Sequence, residues 1–127
     1  VPYLNAFKKF VTGTNFIVTA SEKIVWCEKL WVAGTIDLLG ELQGKPVLID
    51  IKTGGKQDHY HLQTAGYAIL NKTPDIKRFC LHLDQKEKYK LEPHLDAKDI
   101  DVFQGMAHYF NKREKYGWKP LSKQTQE

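Results

Sequence analysis

The chain of 127 residues is 42% apolar and 27% charged, an ordinary globular composition that is long enough for one compact domain with a buried core. No apolar run approaches a membrane span, and Val1-Pro2-Tyr3 leads straight into an amphipathic segment rather than a secretory signal, which sets aside the membrane and secreted classes. The net charge of +4 and pI near 9.0 suit a polyanionic partner without requiring one. The chain opens on Val1 rather than Met, which suits either a processed chain or one that lacks upstream residues. Cys27 and Cys80 have no CxxC spacing and read as buried reduced thiols of a cytosolic protein rather than as a disulfide or a metal site.

In chain order, residues 2–12 carry Tyr3, Leu4, Phe7, Phe10 and Val11 at helical spacing behind Pro2, and Gly13-Thr14-Asn15 ends that helix. Residues 16–20 and 23–27 are rich in β-branched and aromatic side chains and read as two strands; 31–42 and 46–52 read as two more, joined at Gln43-Gly44. Thr53-Gly54-Gly55 breaks the pattern before a helix from about Asp58 to Asn71. Residues 76–83 and 87–91 form a strand pair. Asp96 or Asp99 caps a last helix with an apolar stripe of Ile100, Phe103, Ala107 and Phe110, ended by Gly117. The order α-β-β-β-β-α-β-β-α predicts an α/β (α+β) fold, a sheet flanked by helices. One domain is expected over 1–118, with 119–127 a polar, frayed tail.

Residues 35–52 carry the most chemistry. With Leu42 opposite Lys45 across the Gln43-Gly44 turn, Asp37 falls opposite Asp50 and Thr35 opposite Lys52. Ile36 then faces Ile51, and Leu38 faces Ile49, on the other side of the sheet. Two carboxylates opposite one another are destabilising and need a raised pKa, a salt bridge to Lys52 or a divalent cation. Asp37, Asp50 and the Ile51 carbonyl offer hard oxygen donors for such an ion. Lys52, two residues on, points to the same side and can orient a water or stabilise charge on a phosphoryl oxygen. Spacing alone leaves a solvated sheet face with scattered charges as an equal alternative.

Ala33-Gly34-Thr35-Ile36-Asp37, Asp50-Ile51-Lys52-Thr53-Gly54 and Gln63 with Tyr67 together resemble the PD-(D/E)xK nuclease superfamily, in particular its RecB-like, phage-exonuclease branch. The resemblance covers roughly residues 22–83. It implies a restriction-endonuclease-like core with a central mixed sheet, and hydrolysis of phosphodiester bonds with one or two Mg²⁺ or Mn²⁺ ions. It also implies metal binding by Asp37, Asp50 and the Ile51 carbonyl, a catalytic Lys52, and a helix whose Gln63 and Tyr67 border the site. Some relatives carry a Glu near the position of Glu28 that reaches the metal. Many carry a His ligand on an upstream helix, and residues 2–12 have none, which leaves Glu28 as the local candidate for a third side-chain ligand. Branch members with an iron–sulfur cluster use four cysteines; with two, no cluster is expected.

Other polar features are weaker. His59 and His61, two apart, do not share a helix face, which argues against a zinc site between them. His59 lines up with Gln63 and Tyr67, and it and Lys56 are candidates for phosphate contacts. Lys86, Lys88 and Lys90 alternate along a strand and read as a solvated face. Trp26, Trp31 and Trp118 suit packing better than base stacking. The resemblance implies a cytoplasmic DNA exonuclease of phage or mobile-element type, in a bacterium or phage-infected cell. A homo-oligomer or a recombination or replication partner would complete the DNA channel. The alternatives are a junction-resolvase-like endonuclease and a non-catalytic nucleic-acid-binding module.

Overall fold

A computed structural model describes residues 1–28, 32–54 and 59–115, with the side chains of all but 59 and 110–115. Helix α1 (Pro2–Thr14) begins with Pro2 in its first turn and ends at Asn15, whose φ of 56° is a left-handed stop. It runs two residues past the predicted end because the Thr14 hydroxyl bonds the Phe10 carbonyl at 2.6 Å. Strands β1 (Ile17–Cys27), β2 (Val32–Leu42) and β3 (Lys45–Lys52) follow, then α2 (His59–Leu70), β4 (Lys77–Leu83), β5 (Tyr89–His94) and α3 (Lys98–Lys115). Asp96 Oδ1 accepts the Lys98 amide at 2.9 Å, the cap expected at the start of the last helix. The expected stop at Gly117 and the tail 119–127 lie outside the described residues.

Two predicted boundaries are corrected. Residues 16–20 and 23–27 are one strand, not two, because Ser21 and Lys23 both stay paired to β2, opposite Leu38 and Ile36. The last strand starts at Tyr89 rather than 87, because Asp84 Oδ1 accepts the amides of Lys86 and Lys88 at 2.8 and 2.9 Å and folds them into a tight loop. Lys86 and Lys88 therefore belong to that loop, and Lys90 alone of the three lies in a strand.

The five strands lie in the order β1-β2-β3-β4-β5. All neighbours are antiparallel except β3 and β4, whose parallel pairing requires a crossover, supplied by α2. Period-two alternation sends each strand's residues to two faces. Val47 and Ile49 of β3 and Leu81 and Leu83 of β4 are buried with Ala6 and Phe10 of α1; Ile51, Phe79 and Leu91 pack at the edge of that cluster. On the other face, Val25, Ile36, Leu39 and Leu48 are buried with Ala68 and Leu70 of α2, and Ile100 of α3 packs against them.

The β2–β3 turn has positive φ at both Gln43 and Gly44, 54° and 78°, the geometry of a two-residue hairpin. It sets the expected register, from Leu42 opposite Lys45 to Leu38 opposite Ile49, and there the pairing ends. Beyond that rung the strands depart from the regular hairpin. Leu38 lies in the α1-side cluster, yet Ile36 lies in the α2-side cluster. Ile51 packs on the α1 side, so Ile36 and Ile51 do not share a face as expected. The cause is a matched irregularity. Ser21–Leu38 and Lys23–Ile36 are paired in constant register on either side of Glu22 and Asp37, and the strands change faces across that unpaired rung; the register shift of β1 lies further back, between Val18 and Ala20. Glu22 takes up the change of face with a φ of 50°, and Asp37 is turned out of the alternation towards β3.

Candidate active site

Asp37 stands where β2 and β3 separate. Its Oδ2 accepts the Ile51 amide at 2.8 Å, so the carboxylate takes a β3 donor beyond the last β2–β3 ladder pair. Asp50 and Lys52 follow the regular alternation of β3, opposite to Ile49 and Ile51, and face α2. Asp50 is 3% exposed. Lys52 Nζ lies 3.2 Å from its Oδ2 as an ion pair, and beyond that ammonium the buried oxygen has no hydrogen-bond partner among the described residues.

Burial, then the hydrogen-bonding contact and negative charge of Asp37, push the Asp50 carboxyl up to about 6; the Lys52 ammonium pulls the other way. Burial alone would depress Lys52, but Asp50 outweighs it and holds the ammonium above its ordinary value. Lys52 Nζ also sits 4.6 Å above the Tyr60 ring, a cation–π contact that fixes the end of a flexible side chain. Asp37, Asp50 and Lys52 thus form one electrostatic group, as the spacing suggested, although Asp37 reaches it from the gap between strands rather than from a paired rung.

Helix α2 closes the site from above. Gln63 Nε2 donates to the Tyr67 hydroxyl at 3.0 Å, one helical turn along. Tyr67 lies against Gly34: a Cβ there would meet its Cε1 at 2.8 Å. The glycine three residues before Asp37 is therefore required by a ring packed on the strand. Burial raises the Tyr67 phenol, the Gln63 hydrogen bond opposes this, and the charges of Asp50 and Asp37 add to the rise, which ties Tyr67 to the acidic pair.

Glu28 does not join this group. It is an exposed turn residue after β1, six positions along the strand from the residue opposite Asp37, or about 20 Å at strand rise. The glutamate opposite Asp37 is Glu22, and the two line one cleft with Ser21, Leu38 and Ile51. Glu22 went unnoticed in the sequence because its place opposite Asp37 depends on the pairing of β1 with β2, whose register shifts between Val18 and Ala20, and such a shift leaves no compositional trace. Lys56, Trp31 and Trp118 lie outside the described residues, as does the side chain of His59. Trp26 is 64% exposed on the outer strand β1 rather than packed. Cys27 and Cys80 are free thiols; burial, with the charges of Asp50 and Glu92, pushes Cys80 up to about 12.

The polar face continues past Asp50. In register across β3, β4 and β5 lie Leu48–Arg78–His94, Asp50–Cys80–Glu92 and Lys52–His82–Lys90. His61 of α2 meets this face, with Nε2 3.5 Å from Glu92 Oε1, and its ring centroid is 3.9 Å from that of His94. Arg78, 5% exposed, donates to the carbonyls of His61 and Asp96 at 2.9 and 3.1 Å and lies 3.6 Å from Asp99. Burial, then the neighbouring His61 ring and Arg78 guanidinium, hold His94 down at about 4. His61, with partners far away in sequence, has a role that its spacing from His59 did not disclose.

The residues around Asp50 fit a hard divalent cation. Two carboxylates adjoin, one has a buried oxygen lacking a hydrogen bond, and the donors are oxygens of the kind Mg²⁺ and Mn²⁺ prefer. Among the described residues, no helix is long and apolar enough to cross a membrane.

No curated protein matches the chain. Among solved structures, the crystal structure of SSO0001 superposes with a TM-score of 0.45 at 15% identity, covering 84% of this chain and 56% of that one. This chain therefore spans little more than half the length of that protein. The profile of the PD-(D/E)XK nuclease superfamily matches residues 3–124. The mixed five-stranded sheet with three helices is the α+β, restriction-endonuclease-like core of that group. With the match running through α1, the whole sheet, α2 and α3, the chain belongs to the PD-(D/E)XK nuclease superfamily.

Proposed function

We propose that this chain is a Mg²⁺- or Mn²⁺-dependent DNA nuclease, an exonuclease of the RecB-like, phage or mobile-element kind. The observation that carries the reading is the buried Asp50 carboxylate, one oxygen without a hydrogen bond, set between Asp37 and the Lys52 ammonium. Asp37, Asp50 and the Ile51 carbonyl would hold the ion, with Glu22 as the third side-chain ligand in place of Glu28. A divalent ion held there would supply Lewis acidity towards a phosphoryl oxygen and ease deprotonation of water. Lys52, steadied by Asp50 and the Tyr60 ring, donates a hydrogen bond to the attacking water or to the oxygen on which charge develops. Gln63 and Tyr67 orient the strand of substrate that lies along α2. Lys56 and His59, which precede Gln63 in the sequence, are the residues expected to contact its phosphates.

The test is digestion of linear and covalently closed circular DNA with Mg²⁺ or Mn²⁺, using Lys52→Ala as control. We expect metal-dependent loss of the linear substrate only, abolished by EDTA and by the substitution. Cleavage of closed circles would make the chain an endonuclease of junction-resolvase type. Unchanged activity in Lys52→Ala would overturn the mechanism. Binding without cleavage under every metal would leave a nucleic-acid-binding module.

A further inference from the structure

We propose that His61, Glu92 and His94 form a second metal site, separate from the acidic pair and suited to a borderline ion such as Zn²⁺, which staples the first turn of α2 to strand β5. Two imidazoles and one carboxylate are a nitrogen-rich donor set typical of zinc, unlike the all-oxygen set around Asp50. One ligand atom from each of the three residues lies within 4.8 Å of the others. His61 Nε2 and Glu92 Oε1 are already 3.5 Å apart; for bonds of about 2.0–2.1 Å, the edge of a zinc tetrahedron is about 3.4 Å.

The groups behind the donors point the same way. His94 is 4% exposed, and its Nε2 has no hydrogen-bond partner among the described residues. A buried nitrogen left in that state is costly unless something takes its lone pair. Its other nitrogen, Nδ1, is 2.7 Å from the Thr64 hydroxyl. That hydroxyl donates to the His61 carbonyl at 3.1 Å and accepts from Arg78 Nη1 at 3.2 Å. With its proton so committed, Thr64 accepts from Nδ1–H of His94 and leaves Nε2 as a bare donor, a tautomer assigned from the network. Such support behind a ligand is the usual companion of a metal-binding histidine. Glu92 is oriented likewise: His82 Nε2 lies 3.0 Å from its Oε2, while Oε1 faces His61. Asp99 Oδ2 lies 3.8 Å from His61 Nδ1, a carboxylate behind the third ligand. The two imidazole rings lie 3.9 Å apart with a tilt of 30°, so binding one ion through both would require the half-exposed His61 ring to rotate away from His94. The staple would fix the turn of α2 that carries Tyr60 and precedes Gln63.

The intact chain, stripped with EDTA, is titrated with Co²⁺ as an optical probe and then with Zn²⁺. We expect one equivalent of Co²⁺ to produce the visible absorption of a low-coordinate nitrogen and oxygen site, Zn²⁺ to displace it, and saturating Zn²⁺ to raise Tm by about 5 °C or more. Asp50→Asn should keep the absorption, and His94→Gln should abolish it. If His94→Gln does not fold, His61→Ala at the rim gives the same reading. Absence of both the absorption and the Tm shift in the unsubstituted chain overturns the proposal. So does absorption that survives in His61→Ala or disappears in Asp50→Asn.

Discussion

Along strands β3 to β5 the two faces of the sheet are made by alternate residues and differ sharply in chemistry, whereas β1 and β2 place apolar side chains on the α2 side as well. Against α1, strands β3 to β5 present Val47, Ile49, Ile51, Phe79, Leu81, Leu83 and Leu91. Against α2, the intervening residues are Leu48, Asp50, Lys52, Arg78, Cys80, His82, Glu92 and His94. Alternation thus lets neighbours in sequence serve separate ends. The α1 face supplies apolar burial, roughly 1.5–3 kcal/mol for each large side chain. The α2 face holds charges whose burial opposes folding unless each is paired, hydrogen-bonded or bound to an ion. Stability and chemistry should therefore separate by face, and substitutions of adjacent residues test this directly.

The largest effect is expected on the dry face. Leu81 is fully buried, and Leu81→Ala should cost about 2–5 kcal/mol in urea unfolding. A loss below about 1 kcal/mol would break the contrast. Next comes Lys52→Ala. It should lower nuclease activity about 10²- to 10³-fold, equivalent to about 2.7–4 kcal/mol of transition-state stabilisation, and shift the urea midpoint little. An equally large loss of stability would mean that the ammonium holds up the fold.

The third expectation concerns pH in metal-free protein. Asp50 is raised from an ordinary value of 3.8 to about 6, so the folded chain binds that proton more tightly than the unfolded chain. Stability from this group should be full at acid pH and fall as pH climbs from 3.8 to about 6, by at most about 3 kcal/mol. Asp50→Asn should flatten that slope in thermal melts across the range, and Mg²⁺ at neutral pH should restore what is lost. A slope that persists in Asp50→Asn would assign the effect to another group. The smallest effect is Tyr67→Phe, which removes the hydrogen bond from Gln63 and should cost about 1 kcal/mol. Under the proposed function it should weaken substrate binding more than turnover. The opposite split would give Tyr67 a part in the chemical step.

Much of this arrangement is legible in the residues themselves. Gln43-Gly44 announces its turn, the turn sets the register, and the register brings Asp50 and Lys52 to one side. Gln63 and Tyr67 declare their pairing by helical spacing. What was not legible depends on long-range packing. A positive φ at Glu22, which is not a glycine, comes from the fit of β1 to β2, and no local pattern signals it. Without it, Ile36 is assigned to the wrong face and Glu22 is not seen to lie opposite Asp37. His61, Glu92 and His94 come from α2 and β5, so only the folded sheet brings their rings and carboxylate together.

The matched irregularity at Glu22 and Asp37 has a bearing on how freely this position can change. Remove both residues, and the flanking pairs Ser21–Leu38 and Lys23–Ile36 become consecutive rungs of a regular ladder, every other side chain keeping its present face. Asp37 thus interrupts the strand's alternation without displacing a core side chain, while its carboxylate replaces the missing ladder partner of the Ile51 amide.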